Sequence, residues 1–268
     1  MIIIGERINS ARKSIADAIL TKDSFYIQKE AILQEKAGAT ILDVYCGTLD
    51  DTEEPQAMAW LIESIQEVSQ IPLCIDSINI ETLEAGLKTY QGPKAIINSI
   101  NAEQEDYSEV LPLIKKYKTG VIASCVDDDG IPQNFNDASI VAIKLIENLI
   151  SERIALEDIY FDPILKSLSK DSQSAVNSLE LMSFIRNKYP DIHITCGLSN
   201  ISQGLPERQL LNRSFLVLAM ENGLDSPIID PLDFDTMAII YATDAVLNRD
   251  EFCTKYTRAY RQGIFSKI

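Results

Sequence analysis

The chain has 268 residues, 46% of them hydrophobic, and its 40 acidic and 24 basic residues give a formal net charge of −16. This length can build one large core or two domains, and the composition is that of a globular protein. The negative charge repels nucleic acids and anionic membranes, so it argues against both as partners. No apolar run reaches the ~18 residues of a membrane span, and the first ten residues lack the basic flank of a signal peptide. We therefore expect a cytoplasmic protein.

Short apolar runs rich in strand formers alternate with amphipathic stretches along the chain. The runs that predict strands begin at Met1, Ala39, Pro72, Lys94, Gly120, Ile159, Ile192 and Ser226. The stretches that predict helices cover residues 24–39, 57–70, 79–90, 108–118, 138–152, 174–189 and 213–223. Eight such β/α units in one chain predict a (β/α)8 TIM barrel. A doubly wound open sheet is the alternative, but its first turn is normally glycine-rich, and "GERINSARKS" has a single glycine.

The chain has five cysteines, and no two of them lie close together in the sequence. Most of them follow apolar runs. This pattern favours free, buried thiols in a reducing compartment over a disulfide framework.

Carboxylates and amides stand where nearly every predicted strand ends. They are Glu6, Asp43, Asp76, Asn98, Asp127, Asp128, Asp129, Asp162, Asn200 and Asp230. Function in such barrels collects at this end of the strands, and these residue types are poor strand formers. Any one of them could simply end a strand or cap a helix. Those embedded in apolar sequence, such as Asp76 and Asp162, need a hydrogen-bonded partner or a ligand.

Two ligand classes fit such a ring. Magnesium or calcium takes oxygen ligands, whereas barrel metallohydrolases usually rely on several histidines and this chain has only His193. A planar heterocycle with an amidine-like edge fits equally, because a carboxylate accepts two parallel N–H bonds and an amide reads the adjacent groups. Pterin and guanine have this edge.

Six motifs in one order resemble a known family. They are "GERIN" (5–9), "LCIDS" (73–77), "INSINAE" (97–103), "YFDP" (160–163), "GLSNISQ" (197–203) and "LLNRSFLVLAM" (210–220). The chain resembles the methyltetrahydrofolate–corrinoid protein methyltransferases and the folate domain of cobalamin-dependent methionine synthase; dihydropteroate synthase is a more distant member of the same pterin-binding superfamily. The resemblance implies one pterin-binding barrel over residues 1–268, usually a homodimer. It would move a methyl group between N5 of tetrahydrofolate and the cobalt of a corrinoid carried by a separate protein.

The resemblance also implies roles for individual residues. Asp76, Asn98 and Asp162 would hold the pterin, and Asn200 would be the catalytic amide, with Asp76 in the same catalytic set. Gln203 and Arg208 would lie near the folate, with Gln203 also on the corrinoid side. Glu6, Asp43 and Tyr45 would form the rim or support the site. No catalytic metal is implied. "DIHITCG" is similar to the corrinoid-binding pattern, but its glycine comes one residue late, so we expect His193 to be a packed strand histidine.

One departure from the family lies after Asp43, where its members commonly have Asn, a small residue and Gly. This chain has Tyr45, Cys46 and Gly47. The change puts in doubt the folate and corrinoid contacts on that side, and it tilts the prediction towards the second methyltransferase of a demethylase system. The acidic loops "TLDDTEEP" and "CVDDDG" could meet a partner protein.

Three other functions stay open. Dihydropteroate synthase shares the pocket, but its pyrophosphate chemistry needs a loop with Ser or Thr and Arg after strand two, where "GTLDDTEEP" supplies repelling acids. The chain could also be a non-catalytic folate or corrinoid-protein adaptor, or a metal-dependent barrel enzyme.

Overall fold

A computed structural model describes residues 1–50 and 52–265. The strands are β1 (Ile4–Asn9), β2 (Ile41–Tyr45), β3 (Leu73–Asp76), β4 (Ile96–Ile100), β5 (Gly120–Ser124), β6 (Ile159–Asp162), β7 (His193–Ile194) and β8 (Ile228–Ile229). They form one parallel sheet in the order β7-β6-β5-β4-β3-β2-β1-β8. Backbone bonds from Asp225 N to Ile194 O (3.2 Å) and from Ile228 N to Cys196 O (3.0 Å) join its two edges. The predicted (β/α)8 barrel is confirmed.

Helices cover the outside of this sheet. They are α1 (Lys13–Thr21), α2 (Ser24–Lys36), α3 (Glu54–Gln66), α4 (Ile80–Thr89), α5 (Gln104–Tyr117), α6 (Phe135–Ser151), α7 (Ser174–Lys188), α8 (Arg208–Glu221), α9 (Phe234–Val246) and α10 (Thr254–Arg261). The seven predicted helices appear as α2 to α8, whereas α1, α9 and α10 were not predicted. Within the described ranges, no helix is both long and apolar enough to cross a membrane.

The inside of the barrel has an apolar floor. It consists of Ile4, Ile41, Cys74, Ile96, Ile122, Tyr160 and Ile228, one residue from each strand except β7. On β7, His193 stacks on Tyr160 with ring centroids 4.6 Å apart, and its Nδ1 lies 3.2 Å from Asp225 Oδ2. His193 is thus a packed strand histidine, as predicted.

A polar layer lies directly above this floor. Side chains on a strand alternate, so the residue two positions further on points the same way. Two positions beyond the floor residues stand Glu6, Asp43, Asp76, Asn98, Ser124, Asp162 and Asp230. Asp76, Ser124 and Asp162 are the last residues of their strands and Asp230 follows β8, so the polar layer lies towards the carboxyl ends of the strands, at the mouth of the barrel.

The cysteines are all free. Cys46, Cys74, Cys125 and Cys196 are buried, as predicted, whereas Cys253 is exposed. Cys253 ends a 3₁₀ turn ahead of α10 and follows no buried strand, so the prediction of a buried thiol is wrong there.

Gly5 fixes how β1 meets α2. A Cβ built on residue 5 would lie 2.5 Å from Gln34 Oε1, the oxygen that accepts the Arg7 backbone N–H at 3.0 Å. Only glycine leaves room for this contact, which holds the "GERIN" segment of β1 against α2.

Candidate functional site

The centre of the polar layer is a row of acceptors across neighbouring strands. Asp76 pairs in register with Asn98, and Asp162 ends β6 on the far side of β5. Asn98 Nδ2 donates to Asp43 Oδ1 at 3.3 Å, and the Ile164 backbone N–H donates to Asp162 Oδ1 at 2.8 Å. No described residue makes a hydrogen bond to the Asp76 carboxyl group. These groups therefore keep oxygen acceptors free for a ligand that brings N–H donors.

Burial shapes the protonation of these carboxyl groups. It raises the pKa of Asp162 to about 7 and that of Asp43 to about 6, and in Asp43 the bond from Asn98 opposes the rise. Burial also raises the pKa of Asp76 well above its usual range, and the nearby charges of Asp43 and Glu54 add to this. Such perturbed carboxyl groups, grouped at one end of a barrel, are typical of a functional site.

The sequence predicted that Glu6 follows the first strand. In the structure Glu6 lies within β1 instead. The strand starts three residues later than expected because Ile4 is its first paired residue. Burial raises the pKa of Glu6 to about 7. Asp230 forms ion pairs, since Arg7 Nη1 and Arg12 Nη2 donate to its Oδ2 at 2.9 and 3.2 Å.

Asn200 lies on a 3₁₀ turn, Leu198–Ser202, at the mouth of the barrel. Its side chain is exposed, and its Nδ2 lies 2.9 Å from the position of a Cβ at Gly197. Arg208 holds this turn, because its Nη2 donates to Ser199 O at 2.7 Å and its Nε to Ser202 Oγ at 3.1 Å. The glycine and the arginine together set where the Asn200 amide can reach.

Gln203 comes directly after this turn. Its backbone N–H donates to Asn200 O at 3.2 Å, and its side chain is exposed. The structure thus brings Asn200 and Gln203 together on the loop after β7, and Arg208, the first residue of α8, holds that loop in place.

Tyr45 ends β2 and pairs in register with Asp76. Its ring lies over Gly47, where a Cβ would come within 2.7 Å of the Tyr45 hydroxyl. Burial raises the pKa of Tyr45, and the charges of Asp76 and Glu54 add to this. At neutral pH the phenol is therefore a hydrogen-bond donor on the rim next to Asp76.

Some residues of the site were missed by the sequence analysis. Ser124 belongs to the polar layer, and the two-residue spacing from Ile122 could have identified it. Glu54 could not be identified from the strand pattern, because it lies on α3. It is 3% exposed, and its Oε1 accepts a hydrogen bond from Ser77 Oγ at 2.7 Å. Arg12 was also missed, because it precedes an unpredicted helix.

The surroundings of the mouth are acidic. Asp50, Glu53, Asp128 and Asp129 are exposed on the two loops that the sequence singled out, and Asp51 lies outside the described residues. Within residues 1–50 and 52–265, no three His, Cys, Asp or Glu side chains are arranged to hold a metal ion.

A barrel whose mouth presents free acceptors and an amide is the architecture of a pterin-binding protein, and comparison with known proteins agrees. The family model described as "Pterin binding enzyme" matches residues 5–230. The chain belongs to this family of pterin-binding enzymes.

Two curated relatives bear on the resemblance predicted from the sequence. The chain is 38% identical to a methylcorrinoid:tetrahydrofolate methyltransferase from Eubacterium limosum, over 98% of this chain and 97% of that protein. It is 29% identical to methionine synthase from Mycobacterium tuberculosis, over 85% of this chain but only 20% of that protein. The predicted resemblance to both is confirmed.

Solved structures support the fold alone, since their identities are low. The dihydropteroate synthase from Xanthomonas albilineans, in complex with 7,8-dihydropteroate, has a TM-score of 0.70 at 16% identity and covers 93% of both chains. The enzyme from Yersinia pestis has a TM-score of 0.65 at 15% identity, covering 91% of this chain and 93% of that one.

Proposed function

We propose that this chain transfers a methyl group between the cobalt of a corrinoid on a separate protein and N5 of tetrahydrofolate. The observation that carries the proposal is the row formed by Asp76, Asn98 and Asp162, whose side chains keep acceptor oxygens free, together with the Asn200 amide on the turn after β7 at the same end of the barrel. The similarity to the Eubacterium limosum methylcorrinoid:tetrahydrofolate methyltransferase supports it, because that relative is named for these two substrates.

The acceptor row fits the donor edge of a pterin. The 2-amino group and ring N–H groups of a pterin need acceptors, and Asp76 and Asp162 supply carboxylate oxygens for them. Asn98 adds an amide that can accept and donate, although one of its N–H groups already binds Asp43. In their charged form, the two carboxylates bind such donors more strongly than neutral acceptors would.

Asn200 acts on the reacting nitrogen. When bound, the corrinoid supplies a methyl group on cobalt, and its transfer leaves the electron pair of the cobalt–carbon bond on the metal. The N5 lone pair forms the new N–C bond, so N5, still carrying its proton, gains positive charge in the transition state. The side-chain oxygen of Asn200 accepts a hydrogen bond from this N–H, and that bond strengthens as the charge develops. The proton afterwards leaves to solvent; in the reverse direction the same contact stabilises the protonated leaving nitrogen.

The corrinoid protein docks over the carboxyl ends of the strands, because only there does it reach Asn200. The direction from cobalt to folate, and with it a place as the second methyltransferase of a demethylase system, follows the order of the relative's name. We further propose that residues 1–268 act as one unit, that two copies form a homodimer, and that the acidic loops take part in docking.

An anaerobic assay tests the proposal. Methylcobalamin and tetrahydrofolate are mixed with the protein, and the cobalt absorbance is followed as Co(I) forms, with calorimetry to measure folate binding. Conversion above the protein-free rate supports the transferase. Folate binding without conversion, also when corrinoid proteins are supplied, indicates an adaptor, and absence of folate binding rejects the pterin site.

Replacing Tyr45 should separate the corrinoid side of the site from the pterin side. Tyr45→Asn restores the usual family residue and removes the ring that lies over Gly47. We expect the KM for the corrinoid substrate to change by about tenfold, the typical effect of losing one aromatic contact, while the Kd for tetrahydrofolate stays within about threefold. Tyr45→Phe keeps the ring and is the matched control. A tetrahydrofolate Kd that rises more than the corrinoid KM would place Tyr45 on the pterin instead.

A further inference from the structure

The turn that carries Asn200 lies beyond the end of its strand. Strand β7 ends at Ile194, and the turn Leu198–Ser202 follows as a short 3₁₀ element. Arg208 fastens one side of this turn. An amide that stabilises charge in a transition state must be held in place before the reaction, so the other side of the turn needs a support as well.

The loop after β6 starts at one part of the proposed site and reaches the other. We call this loop, residues 163–169, the β6 loop. It begins directly after Asp162, whose Oδ1 accepts the Ile164 backbone N–H at 2.8 Å. Its far end lies against the turn of Asn200. The β6 loop therefore connects the carboxyl group that we propose for pterin binding with the amide that we propose to act on N5.

The far end of the β6 loop is bonded to the turn by backbone and side-chain groups. The backbone N–H of Leu168 donates to Ile201 O at 2.9 Å. The hydroxyl groups of Ser167 and Ser169 both donate to Gln203 O, that of Ser169 at 3.0 Å. These hydrogen bonds all join the β6 loop to the segment that directly follows the Asn200 amide.

Ser167 is the buried centre of this junction. It is 4% exposed, whereas Ser169 is exposed. Ser167 Oγ lies 2.9 Å from Ser169 Oγ, and it accepts the Ser169 backbone N–H at 3.2 Å. A hydroxyl group can donate one hydrogen bond and accept two, so this one donates to Gln203 O and accepts from Ser169 at the same time. Ser167 thus fixes the position of Gln203 O.

The β6 loop keeps its path in spite of backbone strain. Ile164 has a φ of 60°, in the left-handed region, which disfavours a residue branched at Cβ. Such strain persists where the surrounding structure determines the conformation, and it clusters at functional sites. Here the bond to Asp162 holds the chain before Ile164, and the bonds of Ser167 hold the chain after it. The strained residue therefore lies between two fixed points of the loop.

We propose that Ser167 is a positioning residue for methyl transfer, because through the β6 loop it fixes the turn of Asn200 relative to Asp162. The inference rests on the proposed function, which gives Asn200 and Asp162 their roles. The Ser167 hydroxyl is buried and bound to Gln203 O, so it acts through the turn and not on the substrate. Without it, the amide reaches N5 in a smaller fraction of the bound complexes, so the rate falls while the pterin still binds.

The test removes both hydroxyl groups from Gln203 O, because either serine alone still binds this oxygen. The double variant Ser167→Ala/Ser169→Ala is compared with the parent in the anaerobic assay with methylcobalamin and tetrahydrofolate. We expect kcat to fall by about tenfold, less than the loss of the amide itself, and the tetrahydrofolate Kd to stay within about twofold. Ser167→Thr keeps a hydroxyl group and should retain most of the parental rate.

Ser64→Ala is the matched control. Ser64 is also 4% exposed and also donates to a backbone carbonyl, that of Trp60 at 2.8 Å, but it lies on α3. Its loss should leave kcat and the hydrogen exchange of residues 198–203 unchanged. The double variant should speed that exchange by several-fold, which monitors the turn without any cobalt chemistry.

A double-mutant cycle shows whether the serines act through Asn200. In an Asn200→Ala background, the same two serine substitutions should change kcat by less than about twofold, because the amide that they position is already absent. Equal losses of kcat in both backgrounds would reveal a general effect on the fold and overturn the inference.

Two further results overturn the inference and leave the proposed function intact. One is a double serine variant that keeps the parental kcat, and the other is a variant whose tetrahydrofolate Kd rises as much as its kcat falls. The second result would assign the β6 loop to pterin binding. A parent protein without methyl transfer would reject the proposed function, and the positioning role with it, before any variant is compared.

Discussion

Asn200→Ala is expected to lower kcat for methyl transfer by ~10²–10³, the usual cost of removing one group that stabilises charge in a transition state. The tetrahydrofolate Kd should rise by only a few-fold, because Asp76, Asn98 and Asp162 would still hold the pterin. The folded state should be little affected, since the Asn200 side chain is exposed and makes no hydrogen bond to a described residue. Stopped-flow absorbance under anaerobic conditions gives kcat, and calorimetry gives the Kd.

The comparison with Asn187→Ala makes this test specific. Asn187 is an exposed amide on α7 that bonds only the backbone of its own helix, so its loss should leave kcat unchanged. An Asn200→Ala variant that keeps most of its rate would place Asn200 outside the chemistry, and one that loses binding and rate together would make it a substrate anchor.

The fold and the centre of the site could be predicted because both depend on short-range patterns. Eight apolar runs at regular spacing fix the barrel, and the polar residue two positions beyond each floor residue belongs to the same local alternation. Asp76, Asn98 and Asp162 interrupt apolar sequence, which is why they stood out. The placement of Glu6 was less accurate, because the strand pairing of β1 begins only at Ile4.

The outer parts of the site depend on contacts that sequence spacing does not encode. In the sequence Asn212 is an ordinary polar residue of a predicted helix. Only the packing of α8 buries its Oδ1 without a hydrogen-bond partner among the described residues. Arg12 precedes α1, a helix whose nine residues were not predicted. Glu54 begins the helix after β2, and its side chain accepts a hydrogen bond from Ser77, which follows β3 in the next β/α unit. Each of these depends on how separate elements meet, so a single sequence gives no local sign of them.

The carboxyl group of Asp162 should make the folded protein less stable as the pH rises. In the folded protein burial holds its pKa at about 7, whereas its ordinary value is 3.8. Between these two values the folded state binds more protons than the unfolded state, so the free energy of unfolding falls as the pH increases. The penalty is complete above about pH 7 and absent below about pH 4.

Asp162→Asn removes this penalty while keeping an oxygen for the Ile164 N–H. The variant should therefore be more stable than the parent at pH 8, by on the order of 2–4 kcal/mol, and the gain should shrink as the pH approaches 5. Urea denaturation at pH 5, 6, 7 and 8 measures it. Pterin binding should change in the opposite direction, weakening by about 10- to 100-fold, since a charge-assisted hydrogen bond is lost.

These opposite signs distinguish a ligand-binding carboxyl group from a structural one. A structural aspartate would lose stability when replaced, and a residue unrelated to the ligand would leave binding unchanged. Asp162→Ala provides the comparison, because it removes the charge but also the acceptor for Ile164 and side-chain volume, so its gain at pH 8 should be smaller. A gain in stability at pH 8 together with weaker pterin binding is what a site that keeps an unpaired acid for its substrate requires. Lower stability of Asp162→Asn at every pH would instead assign Asp162 to the architecture of β6.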